Sequence, residues 1–190
     1  MKQSVFTIKG TTPLMMHNER LANPFDPITK QMKALTGKRK KTEDDLLDIA
    51  KLEWRGGIYW DEKVGVHVPG YNIHMTIVGG GKMHKLGTLI KRAVLIDEDK
   101  VELKFDGPKS LDALSADSRF VDIRSVKVGT SKVSRCRPIF PEWELSFTAL
   151  YDENSLQADE LRRCVEDAGR MVGLGEYRPR FGRFEVVSVS

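Results

Sequence analysis

Cysteine is scarce in this chain of 190 residues: Cys136 and Cys164 are the only two, far apart and without a second pair nearby. That excludes a disulfide framework and a zinc knuckle, and it points to a reducing compartment, the cytoplasm. Histidine is nearly as sparse. His17, His67, His74 and His84 form no His-x-x-x-His pair and have no partner cysteines, so neither a metal site nor a cofactor is expected. No segment approaches the roughly 18 uninterrupted apolar residues of a membrane-spanning helix. Met1 to Val5 leads into an alternating stretch rather than an apolar leader, so no membrane association is expected.

Acidic residues are missing locally. Between Asp122 and Glu142 there is none, while Arg124, Lys127, Lys132, Arg135 and Arg137 all fall there. Lys38, Arg39, Lys40 and Lys41 form a second basic block, and Arg178, Arg180 and Arg183 a third. The net charge of +4 and pI near 9.0 are modest, so distribution carries more meaning than total. The 40% hydrophobic content suffices for one continuous core, and the chain reads as a single domain over 1–190.

Alternation from Gln3 to Lys9 predicts a half-buried first strand. The stretch of about 15–41 holds Asn23-Pro24, Asp26-Pro27 and Gly37 without a sustained period, and reads as a long loop. Thr42 followed by Glu43, Asp44 and Asp45 predicts a capped helix start, with Leu46, Leu47, Ala50 and Trp54 on one face and Gly56-Gly57 as its stop. Ile58 to Trp60 and Val64 to Val68 predict a small hairpin. From Asn72 toward Lys91 the helical pattern is broken by Gly79-Gly80-Gly81, each costing roughly 1 kcal/mol against alanine. Val94 to Ile96 and Val101 to Phe105 predict a strand pair. Val121, Ile123, Val126, Val128 and Val133 flank Gly129-Thr130 and predict a basic hairpin inserted at about 118–139. Trp143, Leu145, Phe147 and Ala149 alternate with Glu142, Glu144, Ser146 and Thr148 in the clearest strand. Leu161, Cys164, Val165, Ala168 and Val172 trace an amphipathic helix that Gly173 can end, and Phe181 to Val189 predicts a last strand. Without insertions the order is strand, helix, strands, helix, strand. This is an α+β chain on the ferredoxin-like (RRM-like) plan, an antiparallel sheet with helices on one face.

The most informative segment runs from Gly173 to Phe184, between the last helix and the last strand. Gly173, Gly175 and Gly182 remove side chains where a backbone could approach a phosphate, and successive N–H groups can cradle an anion. Arg178, Arg180 and Arg183 add planar donors, and Tyr177 a face for a base. The same residues would also make a tight helix-to-strand turn with solvated arginines, and composition leaves the two open. For the hairpin the alternatives are phosphate binding, which a one-signed stretch favours, and charges that keep an exposed edge from aggregating. For Lys38 and Arg39 a solvated loop is the simpler reading.

A glycine-rich loop in this place resembles the defining feature of the RAMP superfamily. Thr12-Pro13-Leu14 after the first strand and Val68-Pro69-Gly70-Tyr71-Asn72-Ile73 before a helix are similar to elements of the CRISPR effector backbone subunit. The basic hairpin and the strand after it resemble that family's thumb and the strand that follows. The chain departs from the pattern where Tyr71 and Asn72 replace serines and His74 replaces a lysine. The resemblance implies a non-enzymatic, cofactor-free subunit that coats single-stranded RNA, a guide RNA, in a helical filament of its own copies. Other effector subunits and a target nucleic acid are implied partners, in antiviral defence or in a phage or mobile element. Nucleic acid would be met by Asn72, His74 and Lys82, by Arg124, Lys127, Lys132, Arg135 and Arg137, by Gly173, Gly175, Tyr177, Arg178, Arg180 and Arg183, and by Lys38 and Arg39. Some relatives cut RNA with a histidine or with an aspartate after the first strand; His17 and Asp26 occupy that region here. A turn is the simpler role for Asp26. A processing endoribonuclease and a protein coating single-stranded DNA are the alternatives.

Overall fold

The computed structural model describes the backbone of residues 1–190 and every side chain except those of Val128 and Ser131. In chain order its elements are β1 (Lys2–Gly10), β2 (Leu14–Met15), α1 (Pro27–Thr36), α2 (Glu43–Gly57), β3 (Trp60–Asp61), β4 (Gly65–Pro69), α3 (Gly70–Lys82) and α4 (Gly87–Ala93). There follow β5 (Val94–Ile96), β6 (Lys100–Glu102), α5 (Leu111–Ala116), β7 (Val121–Val128), β8 (Ser131–Phe140), β9 (Glu144–Tyr151), α6 (Ala158–Asp167) and β10 (Phe184–Val189). The chain is α+β, with antiparallel sheets. Among the described residues no helix is long and apolar enough to cross a membrane.

The sequence reads as one domain, whereas the chain divides into two compact units. One comprises Met1–Leu14, Trp60–Asp106 and Pro141–Ser190, the other Met15–Tyr59 and Gly107–Phe140.

In the first unit β1 pairs antiparallel with β10 on one side and β9 on the other, and β9 pairs antiparallel with β5, giving the order β10-β1-β9-β5. Period-two alternation buries Phe6 and Ile8 of β1 and Leu145, Phe147 and Ala149 of β9. Phe6 and Phe147 are register partners, their rings stacked at 5.5 Å. Each such side chain contributes about 1.5–3 kcal/mol by leaving water. Helices α3 and α6 pack on one another, α3 against β5 and α6 against β10. A second sheet, β3-β4-β6, completes the unit.

Two expectations change here. Val94–Ile96 and Val101–Phe105 do not pair with each other: β5 joins β9, and β6 joins β4. The glycine run does not break the helix either. Helix α3 continues through Gly79, Gly80 and Gly81 because the glycines are where it meets its neighbours. A Cβ on Gly80 would stand 2.1 Å from the Cys164 carbonyl oxygen and 2.7 Å from the Ala168 amide nitrogen. The propensity loss is thus offset by backbone-to-backbone packing against α6 and the π-helical turn Ala168–Val172 that prolongs it.

The second unit corrects the long loop of 15–41, which contains α1. Asp26-Pro27 is a helix start: Asp26 accepts from the Ile28 and Thr29 amides as N-cap, and Pro27 opens the helix. Helix α2 has the expected cap, a reciprocal box between Thr42 and Asp45. It buries Trp54, whose indole Nε1 donates to the Phe120 carbonyl oxygen at 2.8 Å. Leu46 and Leu47, expected on that face, are exposed.

Gly80→Ala should destabilise the protein by about 1–3 kcal/mol, the usual cost of overpacking a close contact. Urea unfolding of both proteins measures it.

Candidate nucleic-acid interfaces

Strands β7 and β8 form a two-residue hairpin over Gly129 and Thr130, with Gly129 at φ +59°. The register sets Arg124 opposite Arg135 and Lys127 opposite Lys132. Like charges facing across a ladder repel, and a nearby anion relieves that repulsion. The pair nearer the base has one inside the protein. Arg124 pairs with Asp122, and Arg135 Nη1 donates to Glu53 Oε1 at 3.0 Å. Glu53, on α2, is buried, and its Oε2 accepts the Cys136 amide at 2.8 Å. Lys127 and Lys132 at the tip are exposed, and among the described residues neither has an ion-pair partner. Arg137 lies opposite Asp122, on the same face of β8 as Arg135 but nearer the hairpin's base, with 9% of its surface exposed. Burial pushes the thiols of Cys136 and Cys164 up to about 11, so neither is a reactive thiolate at neutral pH.

In the first unit the loop from Gly173 to Arg183 closes on itself and on the turn after β1. The Leu174 amide donates to the Gly182 carbonyl, the Gly182 amide to Pro13, and the Arg183 amide to Thr12 Oγ1, at 2.8, 2.8 and 2.9 Å. Two segments far apart in sequence, the turn at Thr12 and Pro13 and the loop that ends at Arg183, therefore meet. This closure changes what the glycines do. Gly182, at φ +73°, would place a Cβ 1.7 Å from the Leu174 carbonyl oxygen; Gly173, at φ +80°, would place one 2.7 Å from that of Phe181. Gly173 is buried and its amide donates to Ala168, so its N–H does not face a ligand. Leu174 and Phe181 anchor the loop in the core. What remains outside is the rim, Tyr177, Arg178 and Arg180, with Gly175 half-buried beside it. Half-buried Arg183 donates from Nε to the Pro179 carbonyl at 2.8 Å.

On α3, Asn72 and His74 are half-buried, and His74 Nε2 lies 3.4 Å from the Ile90 carbonyl oxygen, facing α4. Lys82 is exposed at the end of α3, where Lys85, Lys91 and Arg92 surround the same concavity of about 600 Å³. Sequence reasoning missed those three. The signal was present: no Asp or Glu occurs between Glu62 and Asp97, a longer acid-free interval than that of the hairpin.

The remaining candidates separate. Lys38 Nζ donates to Asp45 Oδ1 at 2.6 Å and so supports the α2 cap, while Arg39 is exposed. His17 is exposed. Asp26 is fully engaged: Oδ2 accepts Arg20 Nε and Nη2 at 2.9 and 2.8 Å, and Oδ1 accepts the cap amides. Burial acts to raise its pKa, but the bonds from Arg20, Ile28 and Thr29 outweigh it and hold the carboxyl below its ordinary value. A carboxylate so bonded has no lone pair directed at a substrate.

Another concavity of the first unit, of about 720 Å³, is lined by Thr11, His84, Arg163, Asp167, Arg170 and Arg183. His84 Nε2 lies 2.6 Å from Asp167 Oδ2, and Arg170 bonds the other oxygen. The His84 bond, chiefly, keeps the Asp167 carboxyl below its ordinary pKa. These residues are 83 apart in sequence, and only the fold joins them. Among the described residues no three His, Cys, Asp or Glu side chains gather as metal ligands would. No protein-family model matches the chain, and no curated protein matches it in sequence.

Two outcomes test these assignments. Glu53→Ala leaves Arg135 and the buried Cys136 amide without their acceptor, and should cost about 3–5 kcal/mol in denaturant unfolding. Asp26→Asn should reduce stability most at neutral pH. Because the folded carboxyl is depressed, its contribution is full above the unfolded pKa and is lost as pH falls through the folded one. Melting curves of both proteins over a pH series should converge in acid.

Proposed function

We infer that this chain is an RNA-binding backbone subunit of the RAMP type, whose copies line up along single-stranded RNA, a guide RNA in a CRISPR-type or virus-encoded ribonucleoprotein. The observation that carries this reading is the sheet order β10-β1-β9-β5 with a glycine-bearing loop between α6 and β10 seated on the turn after β1. That order, with helical crossovers into β5 and β10, matches the ferredoxin-like plan, and Tyr177, Arg178 and Arg180 at the loop's rim offer a ring to stack on and guanidinium forks for phosphate. The β7–β8 hairpin is read as the family's thumb, its Lys127 and Lys132 meeting the strand's backbone. Lysines neutralise phosphates without reading bases, which suits a coat that must accept any guide. Such binding needs no cofactor and no catalytic group.

One observation favours a second reading, a processing endoribonuclease. It is the His84–Asp167 pair in a concavity with three arginines, a general base held by a carboxylate beside phosphate ligands. Coating of single-stranded DNA is a third, separable by competition, since only RNA presents a 2′-hydroxyl.

The protein with RNA should elute as large nucleoprotein particles, and with RNA omitted as a small species. Lys127→Glu with Lys132→Glu should weaken single-stranded RNA binding about tenfold or more and flatten its salt dependence by about 1.4, at roughly 0.7 per phosphate contact. Wild type that fails to bind at low salt overturns the reading. RNA shortened by the wild type but not by His84→Ala would move the conclusion to the nuclease.

A further inference from the structure

The strongest uncompensated charge of the first unit lies away from the glycine loop. Lys82 ends α3, Lys85 stands in the turn at φ +60°, and Lys91 and Arg92 end α4, all around one concavity. Other cations of the unit are held by acids: Lys2 has Glu153, Lys100 has Asp61, Arg162 has Glu166 and Arg170 has Asp167. Among the described residues none of the four around the concavity has an ion pair. Glu98, which follows closely in sequence, is committed to the Thr148 amide and hydroxyl. Four like charges facing one space raise each other's energy, and a bound anion is what lowers it.

The place is built rather than incidental. A Cβ on Gly87 would stand 2.7 Å from Cγ of Lys82, so the first residue of α4 leaves room for that lysine's stem. Gly81 against Ile90, and His74 against the Ile90 carbonyl, fix α4 on α3. The cations are therefore carried on elements already locked together, which limits the ordering cost of binding. Met75 and Val78 line the same concavity and give it an apolar wall, and Thr88 adds a hydroxyl. Cations on one side and an apolar wall on the other match a nucleotide, whose phosphate is charged and whose base is flat and poorly hydrated.

We propose that the α3–α4 cleft binds a phosphodiester segment of single-stranded nucleic acid, with consecutive phosphates on Lys82, Lys85, Lys91 and Arg92 and a base against Met75 and Val78. This rests on the RNA-binding reading for the nature of the ligand and adds a contact surface independent of hairpin and loop. A free nucleotide would share the same chemistry, and the two sources are separable.

The test uses the full chain, an oligouridylate of about ten nucleotides, within the site sizes of single-strand binders, and uridine monophosphate as the free nucleotide. Lys82→Gln, Lys85→Gln and Lys91→Gln are combined in one variant. Thr88→Glu, one exposed position that sets a negative charge in the cleft, is the second. Circular dichroism establishes that each is folded. The triple variant should bind the oligomer at least tenfold more weakly, with a salt slope reduced by about two, at roughly 0.7 per phosphate. Thr88→Glu should weaken binding in the same direction. Oligomer binding and slope unchanged in both folded variants, while the Lys127→Glu and Lys132→Glu protein is impaired, would sink the cleft and leave the RNA-binding reading standing. Wild type that binds no oligomer would sink both. Uridine monophosphate bound as tightly as the oligomer would overturn the strand in favour of a free nucleotide.

Discussion

Strand β1 is hydrogen-bonded on both edges, and the turn that leaves it is the surface on which the last loop closes. Thr11 and Thr12 amides both donate to the Arg183 carbonyl, Pro13 accepts from Gly182, and Thr12 Oγ1 accepts from Arg183. Trp143 seals the same corner, its Nε1 donating to the Thr12 carbonyl at 2.9 Å and its ring edge-on to Phe184. The rim of Tyr177, Arg178 and Arg180 stays outside only because Leu174 and Phe181 on either side are held in the core. Remove that closure and the arginines remain in the sequence, but no longer at a defined place.

The two basic hairpin pairs show how charge is divided between architecture and surface. Glu53 reaches Arg135 and the Cys136 amide from inside the protein, so the lower half of the hairpin is tied to α2. Arg124 and Arg135 are half-buried in ion pairs, and of the five only Lys127 and Lys132 are exposed. A run of five cations in the sequence thus becomes two fully outward ones and two already engaged by acids, and a count of basic residues overstates the electrostatic footprint.

Much of this was legible wherever a residue's neighbours in sequence are also its neighbours in space. The alternation of β9, the amphipathic α6, the Thr42 cap and the Gly129 turn depend on local periodicity and local hydrogen bonds, and they stand as read. Pairing was not legible for β5 and β6, three residues each, because so short a strand does not specify its partner. Asp26-Pro27 suits a turn as well as a helix start, and the Ile28 and Thr29 amides bonded to Asp26 Oδ1 are what make it a helix start. The glycines of α3 and of the last loop were read as breaks or as openings for a ligand. At Gly80, Gly173 and Gly182 another backbone takes up the space a side chain would fill, while Gly79 and Gly81 face the side chains of Val172 and Ile90. Of the candidate residues, the exposed positions at the hairpin tip and the loop rim could be picked out from the sequence; the pairing of His84 with Asp167, and the cations gathered around Lys82, needed the fold.

Positions 80, 173 and 182 each tolerate nothing larger than hydrogen, for a steric reason indifferent to whatever the surface binds. A lysine at the hairpin tip can drift to the next outward position and still meet a polyanion. Over evolutionary time the spacing of these three glycines should therefore outlast the basic residues, and kinship among such chains would survive as a rhythm of omitted side chains after charge patterns and overall identity have been rewritten.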